Sequence, residues 1–240
     1  DDLRAVWGDL SDDMKRDIFR PAGWHKFEAG LDASGKLVAL TDHFVTFGEN
    51  GKVATVAELQ PTHFPAGLVP DLHYTQSMMP TVVPMGPLRA PRSNAQCFAF
   101  FSFLDEVAEA AGKDLPALLL EMCGEDRTIG APVKPGKPSG SFVTSRARAV
   151  IQRVLADSGW AKRKKLPGRG LGFGFYFCHL GYFAEVADVS VSGGNVRVHK
   201  IWVAGDVGSQ LINPMHAENQ VRGSIIDGMA EMPSAGILPV

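Results

Sequence analysis

Cysteine is scarce in this 240-residue chain, which has only Cys97, Cys123 and Cys178. Their number is odd and no two of them have a CxxC-like spacing. This argues against a disulfide framework and against a zinc or iron–sulfur site built from this chain alone. Each cysteine is expected to behave as a small buried hydrophobe.

Long apolar runs and an excess of one charge are also missing. The chain has 24 Lys and Arg against 26 Asp and Glu, a formal net charge of -2. This balance predicts neither a nucleic-acid partner nor a polybasic membrane surface. The apolar stretches fall far short of the roughly 18 residues that a spanning helix needs, so no membrane span is expected. The length allows one large or two small domains.

A signal peptide is not expected, because the acidic start at Asp1 and Asp2 is not followed by the usual basic and apolar regions. The first residue is not methionine. The sequence is therefore interpreted as a processed chain or a fragment, and its compartment stays open.

Familiar catalytic motifs are absent as well. The seven histidines show no HExxH or HxxxH spacing, and Ser102 and Ser224 lack a surrounding GxSxG. Alternate glycines occur between Gly168 and Phe177, but a strand-like run follows them where a dinucleotide fold needs a helix. We expect a glycine-rich strand whose backbone is closely approached by another element.

In the first half of the chain, residues 24–47 predict a β-hairpin that turns at residues 32–35. Seven prolines between Pro61 and Pro91 make a long regular element unexpected there, so an extended, packed connection is predicted.

The strongest helix signal runs from Gln96 to Ala111 and is ended by Gly112. Its apolar stripe is expected to be buried, with Asp105 and Glu106 on the opposite face. The stripe comprises Phe100, Phe101, Leu104, Val107 and Ala108. Asp114 is expected to cap a second helix.

In the second half, residues 130–140 are rich in Pro, Gly and Lys and predict a linker loop. A third helix should start at a cap formed by Thr144 or Ser145 and end at Gly159. A second hairpin, 181–191 with 195–203, precedes a final helix.

Together these elements predict an α+β fold. The expected organisation is a hairpin, extended loop and helical pair in residues 1–129, the linker in 130–140, and a helix, hairpin and C-terminal helix in 141–240.

Two loops could recognise anions. The segment from Pro84 to Asn94 holds Arg89 and Arg92 in a turn made rigid by Pro and Gly, which suits carboxylate or phosphate. Ion pairs between these arginines and surface acids are the alternative, and residue type alone favours it. The segment from Asp206 to Pro214 leads into a helix that Asn213 should cap, and a helix N-terminus favours an anionic group.

Three stretches in order resemble the molybdenum hydroxylase large subunit, most closely the β subunit of isoquinoline 1-oxidoreductase and related aldehyde oxidases of the xanthine dehydrogenase superfamily. They are FRPAGWHKFEAGLDASGKLVAL, PMGPLRAPRSNAQCFAFFSFLDEVAEAAGKDLPALLLEM and GYFAEVADVSVSGGNVRVHKIWVAGDVGSQLINPMHAENQVRGSIIDGM. The resemblance implies an α+β molybdopterin-binding domain in residues 141–240.

The resemblance also implies cofactor-binding residues. Arg89, within LRAP, falls where the family has an arginine at the molybdenum pocket, and the later segment falls where the family packs around the pterin. The implied cofactor-binding set is Gly86, Arg89, Ala90, Asp206, Gly208, Asn213 and Gln220. Arg92 follows RAP where relatives have a small residue.

The implied activity is hydroxylation of an aromatic N-heterocycle, or oxidation of an aldehyde, with water as the oxygen source. The implied cofactor is molybdopterin, in its cytosine dinucleotide form, with the metal held by the pterin dithiolene instead of side chains. Electrons would pass to iron–sulfur clusters on a partner chain, so the implied partners are other segments or chains of the large subunit, an iron–sulfur small subunit and a small-molecule substrate.

The chain departs from the family pattern where function is concerned, because no GEPP or GEPG stretch with the catalytic glutamate occurs. No catalytic residue is therefore assigned in this chain. A non-catalytic scaffold or assembly module derived from the same fold is the alternative. The resemblance leaves the bacterial cytoplasm and the periplasm open as compartments.

Overall fold

The computed structural model describes residues 18–130, 141–164 and 166–234. The chain divides into two compact units, residues 1–118 and 119–240. The first unit contains β1 (Gly23–Leu31), β2 (Leu37–Glu49), β3 (Lys52–Val53), β4 (Asp71–Pro80), α1 (Ser93–Ala110) and the start of α2 (Leu115–Cys123). The second contains the rest of α2, β5 (Thr128–Ile129), β6 (Phe142–Val143), α3 (Thr144–Ser158), a 3-10 turn (Trp160–Lys162), β7 (Arg169–Cys178), β8 (Gly181–Ser192), β9 (Asn195–Asp206) and α4 (Pro214–Ser234). Helices and mainly antiparallel sheets make this an α+β fold, as predicted.

The first predicted hairpin is confirmed as the antiparallel pair of β1 and β2. Its turn is closed by Asp32, whose carboxylate accepts hydrogen bonds from the amides of Ser34 at 2.8 Å and Lys36 at 3.1 Å. Gly35 supplies the left-handed backbone angle (φ 77°) that the turn requires. The hairpin thus rests on local turn chemistry that the sequence already displays.

The prediction of an irregular connection between Pro61 and Pro91 is wrong in its middle. Strand β4 runs there for ten residues, parallel to β2. Pro70 precedes the strand and Pro80 ends it, so every residue from 71 to 79 keeps its backbone donor. Counting prolines missed the strand because the prolines lie around it and not inside it.

Helix α1 confirms the predicted register. Phe100, Leu104 and Ala108 are at most 2% exposed, whereas Asp105 and Glu106 are exposed. Burying each large apolar side chain of the stripe contributes about 1.5–3 kcal/mol. The helix ends before Gly112 (φ 68°), and Asp114 caps α2 as predicted by accepting a hydrogen bond from the Ala117 amide at 3.1 Å.

A polar pair lies inside the aromatic core of the first unit. The Nδ1 atom of His25 is 2.8 Å from Oδ2 of Asp42, whose side chain is fully buried. The imidazole is stacked between Phe27 and Phe44, and Phe100 meets its edge. The second carboxyl oxygen of Asp42 has no hydrogen-bond partner among the described residues. The histidine is therefore the partner that makes this buried carboxyl tolerable.

In the second unit, helix α3 packs on the sheet β7-β8-β9. Ala147, Ile151 and Val154 of the helix are buried, as are Tyr182 and Val186 of β8. Gly159 ends the helix in the left-handed conformation (φ 67°), as predicted. The second predicted hairpin is confirmed as the antiparallel pair of β8 and β9.

The predicted side-chain cap of α3 is wrong. Val143 is the cap residue and no side chain caps the helix; Thr144 is its first helical residue. The Thr144 hydroxyl instead donates to the carbonyl of Glu125 at 2.8 Å and accepts from the amide of Arg127 at 2.9 Å. These bonds fix the chain before β5, and this long-range role takes precedence over local capping.

The glycine-rich segment forms strand β7, as expected, with β8 after it instead of the helix of a dinucleotide fold. The expected close approach is wrong for Gly170, Gly172 and Gly174, because nothing lies within 4 Å of a β-carbon built at any of them. Of the four glycines in this segment, only Gly168 meets a neighbouring backbone, the carbonyl of Val191.

The three cysteines are free, and only Cys123 is fully buried. Burial raises the pKa of the Cys123 thiol to about 11. Cys97 and Cys178 are partly exposed, so the expectation of burial is wrong for them. Of the predicted linker, residues 131–140 lie outside the described residues, and the linker stays a prediction.

Replacing His25 by Ala should lower the free energy of unfolding by about 3–5 kcal/mol, because the buried Asp42 carboxyl loses its partner. Urea denaturation of the full chain measures this. The exposed neighbour Lys26, which pairs with Glu28 at the surface, is the control, and Lys26→Ala should have little effect. Equal losses in the two variants would contradict the role given to His25.

Candidate functional site

The second candidate segment begins at Asp206, the last residue of β9, and this residue is held by Arg146 in the first turn of α3. The guanidinium donates from Nε to Oδ2 and from Nη2 to Oδ1, both at 2.7 Å. Each side chain is about one-third exposed. The two parallel bonds fix the orientation of the carboxylate as well as its position.

Tyr182 supports this pair from below. The Arg146 guanidinium lies 4.5 Å from the centre of the buried Tyr182 ring. The Tyr182 hydroxyl accepts a hydrogen bond from the amide of Val143 at 2.7 Å, just before α3 begins. Phe142 and Phe177 pack against the same ring. The start of the helix and the end of the strand are thus joined through one aromatic residue.

The electrostatics follow from this arrangement. The hydrogen bonds from Arg146 hold the pKa of Asp206 below its ordinary value, and the Gly208 amide, 3.0 Å from Oδ1, adds to the effect. The same carboxylate raises the pKa of Arg146. Burial raises the pKa of Tyr182. Asp206 is therefore an ionised, paired anchor of the loop and not a free carboxylate.

Beyond Asp206, the loop 207–213 is open. Gly208 has a φ of 115°, and nothing lies within 4 Å of a β-carbon built on it. Val207 is 53% exposed and Ile212 is 96% exposed. A ligand could approach the backbone at Gly208 without meeting a side chain there.

The predicted cap of the last helix is confirmed. The side chain of Asn213 accepts a hydrogen bond from the His216 amide at 3.1 Å, and α4 begins at Pro214. Gln220 is exposed one and a half turns later; its backbone carbonyl accepts from the Ser224 hydroxyl at 2.9 Å. The positive end of the helix therefore follows directly on the open loop.

The first candidate segment lies in the first unit. Gly86 is buried, and a β-carbon on it would lie 2.5 Å from Cδ1 of Ile18, so packing within the unit explains this glycine. Arg89 and Ala90 are exposed. Ala90 has a positive φ of 54°, and its carbonyl accepts from Arg20 at 3.2 Å. This contact holds the loop that carries Arg89.

Arg92 takes the alternative role foreseen for the arginines, since its guanidinium pairs with Glu58. The carbonyl of Glu58 accepts from Gln96 at 3.3 Å, so the start of α1 is tied to residue 58 twice. The nearby His63 stays neutral, because burial and Arg92 lower its pKa to about 4.

Sequence reasoning missed Arg146 and Tyr182, the two residues that hold Asp206. No local motif marks them; only the pairing of Tyr182 with Asp206 across β8 and β9 would have found them. The predicted site residues fall into two groups, one in each unit, and their convergence on one ligand stays a prediction.

The donor set suits a polar ring with a phosphate better than a bare metal ion. The second segment offers an open backbone at Gly208, the amide of Gln220 and the positive end of α4, while Arg146 neutralises Asp206. In the described parts of the chain, no group of three or more His, Cys, Asp or Glu residues is arranged to hold a metal ion.

Comparison with known proteins identifies relatives of both units. Residues 137–233 match the family model of the molybdopterin cofactor-binding domain. One nicotinate dehydrogenase subunit from Pseudomonas putida is 26% identical over 227 residues, which are 86% of this chain and 18% of that protein. The chain therefore spans less than a fifth of this curated relative. An aldehyde oxidoreductase structure from Desulfovibrio gigas covers 78% of this chain and 22% of its own, with 16% identity and a TM-score of 0.40.

Within residues 18–130, 141–164 and 166–234, no helix combines the length and apolar character needed to cross a membrane. The family model covers the anchored strand β9, the open loop and the start of α4. The family model and the curated relative confirm the resemblance found in the sequence, and they indicate a member of the molybdenum hydroxylase family.

Proposed function

We propose that this chain is part of a molybdopterin-dependent oxidoreductase that hydroxylates an aromatic N-heterocycle or oxidises an aldehyde, with water as the oxygen source. The observation that carries the proposal is the open loop after Asp206, which the Arg146 pair anchors inside the region matched by the molybdopterin cofactor-binding model. The name of the curated relative, a nicotinate dehydrogenase subunit, supports an N-heterocycle as the substrate class.

Within this proposal, Gly208, Asn213 and Gln220 belong to the surface that receives the cofactor. Gly208 lets the cofactor approach the backbone, Asn213 keeps the first turn of α4 in order, and the Gln220 amide can donate and accept hydrogen bonds. Asp206 acts as a positioning residue, because both of its oxygens are already engaged. Molybdopterin, in the proposed cytosine dinucleotide form, supplies the molybdenum and its two-electron redox chemistry.

In the first unit, we propose Gly86 and Ala90 as the frame of the loop that presents Arg89. The exposed guanidinium of Arg89 orients substrate or stabilises negative charge that develops on it. This role needs no proton transfer, since an arginine keeps its charge at all working pH values.

Partners are part of the proposal, because the last helix exposes apolar side chains. Between residues 214 and 230, where side chains are described, none is buried. The exposed apolar residues of the loop and helix are Val207, Leu211, Ile212, Met215, Ile226 and Met229. Surfaces of this kind are usually covered by other protein. We infer that further segments or chains of the large subunit cover them, and that an iron–sulfur subunit receives the electrons.

The first test of this function is the cofactor content of the protein isolated with its partner chains. Elemental analysis should find molybdenum, and fluorescence after oxidation should find a pterin. Gln220→Ala should lower both several-fold, whereas Asn219→Ala, at the exposed neighbouring position, should leave them unchanged. A folded parent complex that holds neither molybdenum nor pterin would contradict the proposal and favour the scaffold alternative.

Arg89→Ala should reduce turnover by about a hundredfold, the usual cost of removing one preorganised donor, while cofactor content changes little. The assay uses an N-heterocycle or aldehyde with an artificial electron acceptor. Arg169→Ala removes an exposed arginine that pairs with Asp188 and serves as the control. Unchanged turnover in Arg89→Ala would leave this residue without a catalytic role.

The anchor of the loop should respond to pH. The lowered pKa of Asp206 stabilises the fold above the pKa of about 3.9 that an unfolded aspartate has, and this stability is lost as the pH falls through the folded value. Asp206→Asn should therefore cost about 1 kcal/mol at pH 7, since the pair is partly exposed, and nothing near pH 2.

Urea denaturation at several pH values measures the difference between parent and variant. Asp157→Asn, which breaks only the exposed pair with Arg153, is the control. A difference for Asp206→Asn that stays constant from pH 7 to pH 2 would show that the ion pair does not hold the loop.

A further inference from the structure

Strand β9 lies at the edge of the three-stranded sheet, because the strand order is β7-β8-β9. Edge strands invite pairing with another strand, and proteins usually protect them with charges or bulges. In β9 this protection is confined to the first half. The register with β8 shifts around His199, which is the extra residue of a bulge, and Arg197 and Lys200 carry charge.

The second half of β9 has no such protection. Ile201 to Gly205 contain no charged residue, no proline and no register shift. A cleft of about 440 Å³ runs beside this half, between the strand edge and the flank of α3. Ala149, Val150 and Ala204 line it, and the pair of Arg153 and Asp157 forms its rim.

The unprotected half is complementary to itself in one antiparallel register. When Val203 of one copy faces Val203 of another, Lys200 lies opposite Asp206, Trp202 opposite Ala204, and Ile201 opposite Gly205. Opposite residues share a face of the sheet, so each cation meets an anion and each large side chain meets a small one.

The other registers that keep the faces matched are worse. A shift of the dyad to position 202 places Trp202 against Trp202 and Lys200 against Ala204. A shift to position 204 places Trp202 against Asp206. Only the register centred on Val203 satisfies size and charge together.

We propose that a second copy of this chain pairs with β9 along Ile201–Asp206, in an antiparallel two-fold interface centred on Val203. Trp202 of each copy enters the cleft beside Ala204 of the other. There the ring meets Ala149 and Val150 and lies near Arg153, whose guanidinium suits an indole face. The contact is isologous, so it closes on itself as a dimer. The proposal does not depend on the cofactor function.

Sedimentation equilibrium of the full chain over a range of concentrations tests the dimer. The parent should reach twice its 25.8 kDa mass. Val203→Lys sets two cations opposite each other at the dyad and should raise the dimer Kd by more than about a hundredfold. Val196→Lys, on the same strand but outside the paired half, should leave the Kd unchanged. A parent that stays monomeric, or a dimer that tolerates Val203→Lys, overturns the proposal.

Two further variants test the register without requiring a large change in the core. Lys200→Glu faces Asp206 of the other copy and should raise the Kd by about tenfold, more at low salt than at high salt. Arg197→Glu makes the same charge change outside the paired half and should have no effect. Hydrogen exchange should slow at amides within Ile201–Asp206 on dimerisation. Equal effects of the two charge reversals, or unchanged exchange, overturn the register.

Discussion

The ion pair between Arg146 and Asp206 is the constraint on which the second unit depends. It joins the first turn of α3 to the last residue of β9 by two hydrogen bonds of 2.7 Å, above the buried ring of Tyr182. Because the Tyr182 hydroxyl also accepts from the Val143 amide, helix and strand ends are fixed against the same residue. The loop that follows therefore starts from a fixed point, although the loop itself packs against little.

A one-residue irregularity makes this ion pair possible. From Ser192 and Asn195 to Val189 and Val198, the β8–β9 register would continue to bring Gly205 opposite Tyr182. The shift at Asp188/Val189 brings Asp206 there instead, on the face of the sheet where α3 lies. Without the bulge the carboxylate would point to the opposite face. Sequence patterns predicted both strands of this hairpin, but no local signal specified the bulge, so Arg146 and Tyr182 were missed.

Elements that depend on local chemistry were predictable from the sequence, and those that depend on distant partners were not. The turn at Asp32, the stripe of α1 and the Asn213 cap follow from residues a few positions apart. Strand β4 needed its pairing with β2, and Thr144 gave up capping for bonds to residues 125 and 127. Likewise, motif matching proposed Asp206 for the site, yet its role as an anchor follows only from the position of Arg146.

Asp206 also links the two surfaces of the second unit, since it ends the half-strand Ile201–Asp206 and begins the loop that leads to α4. Helix α4 has Gly223 and Gly228 in its interior and no buried side chain between residues 214 and 230, so propensity gives it little stability. Its order must come from its cap and from protein packed on its apolar side chains. In the proposed interface, Lys200 of the second copy adds a cation beside the Asp206 carboxylate that already holds Arg146. A second cation favours the ionised carboxylate further. Pairing along β9 and anchoring of the loop are therefore coupled through one charge, and each stabilises the other.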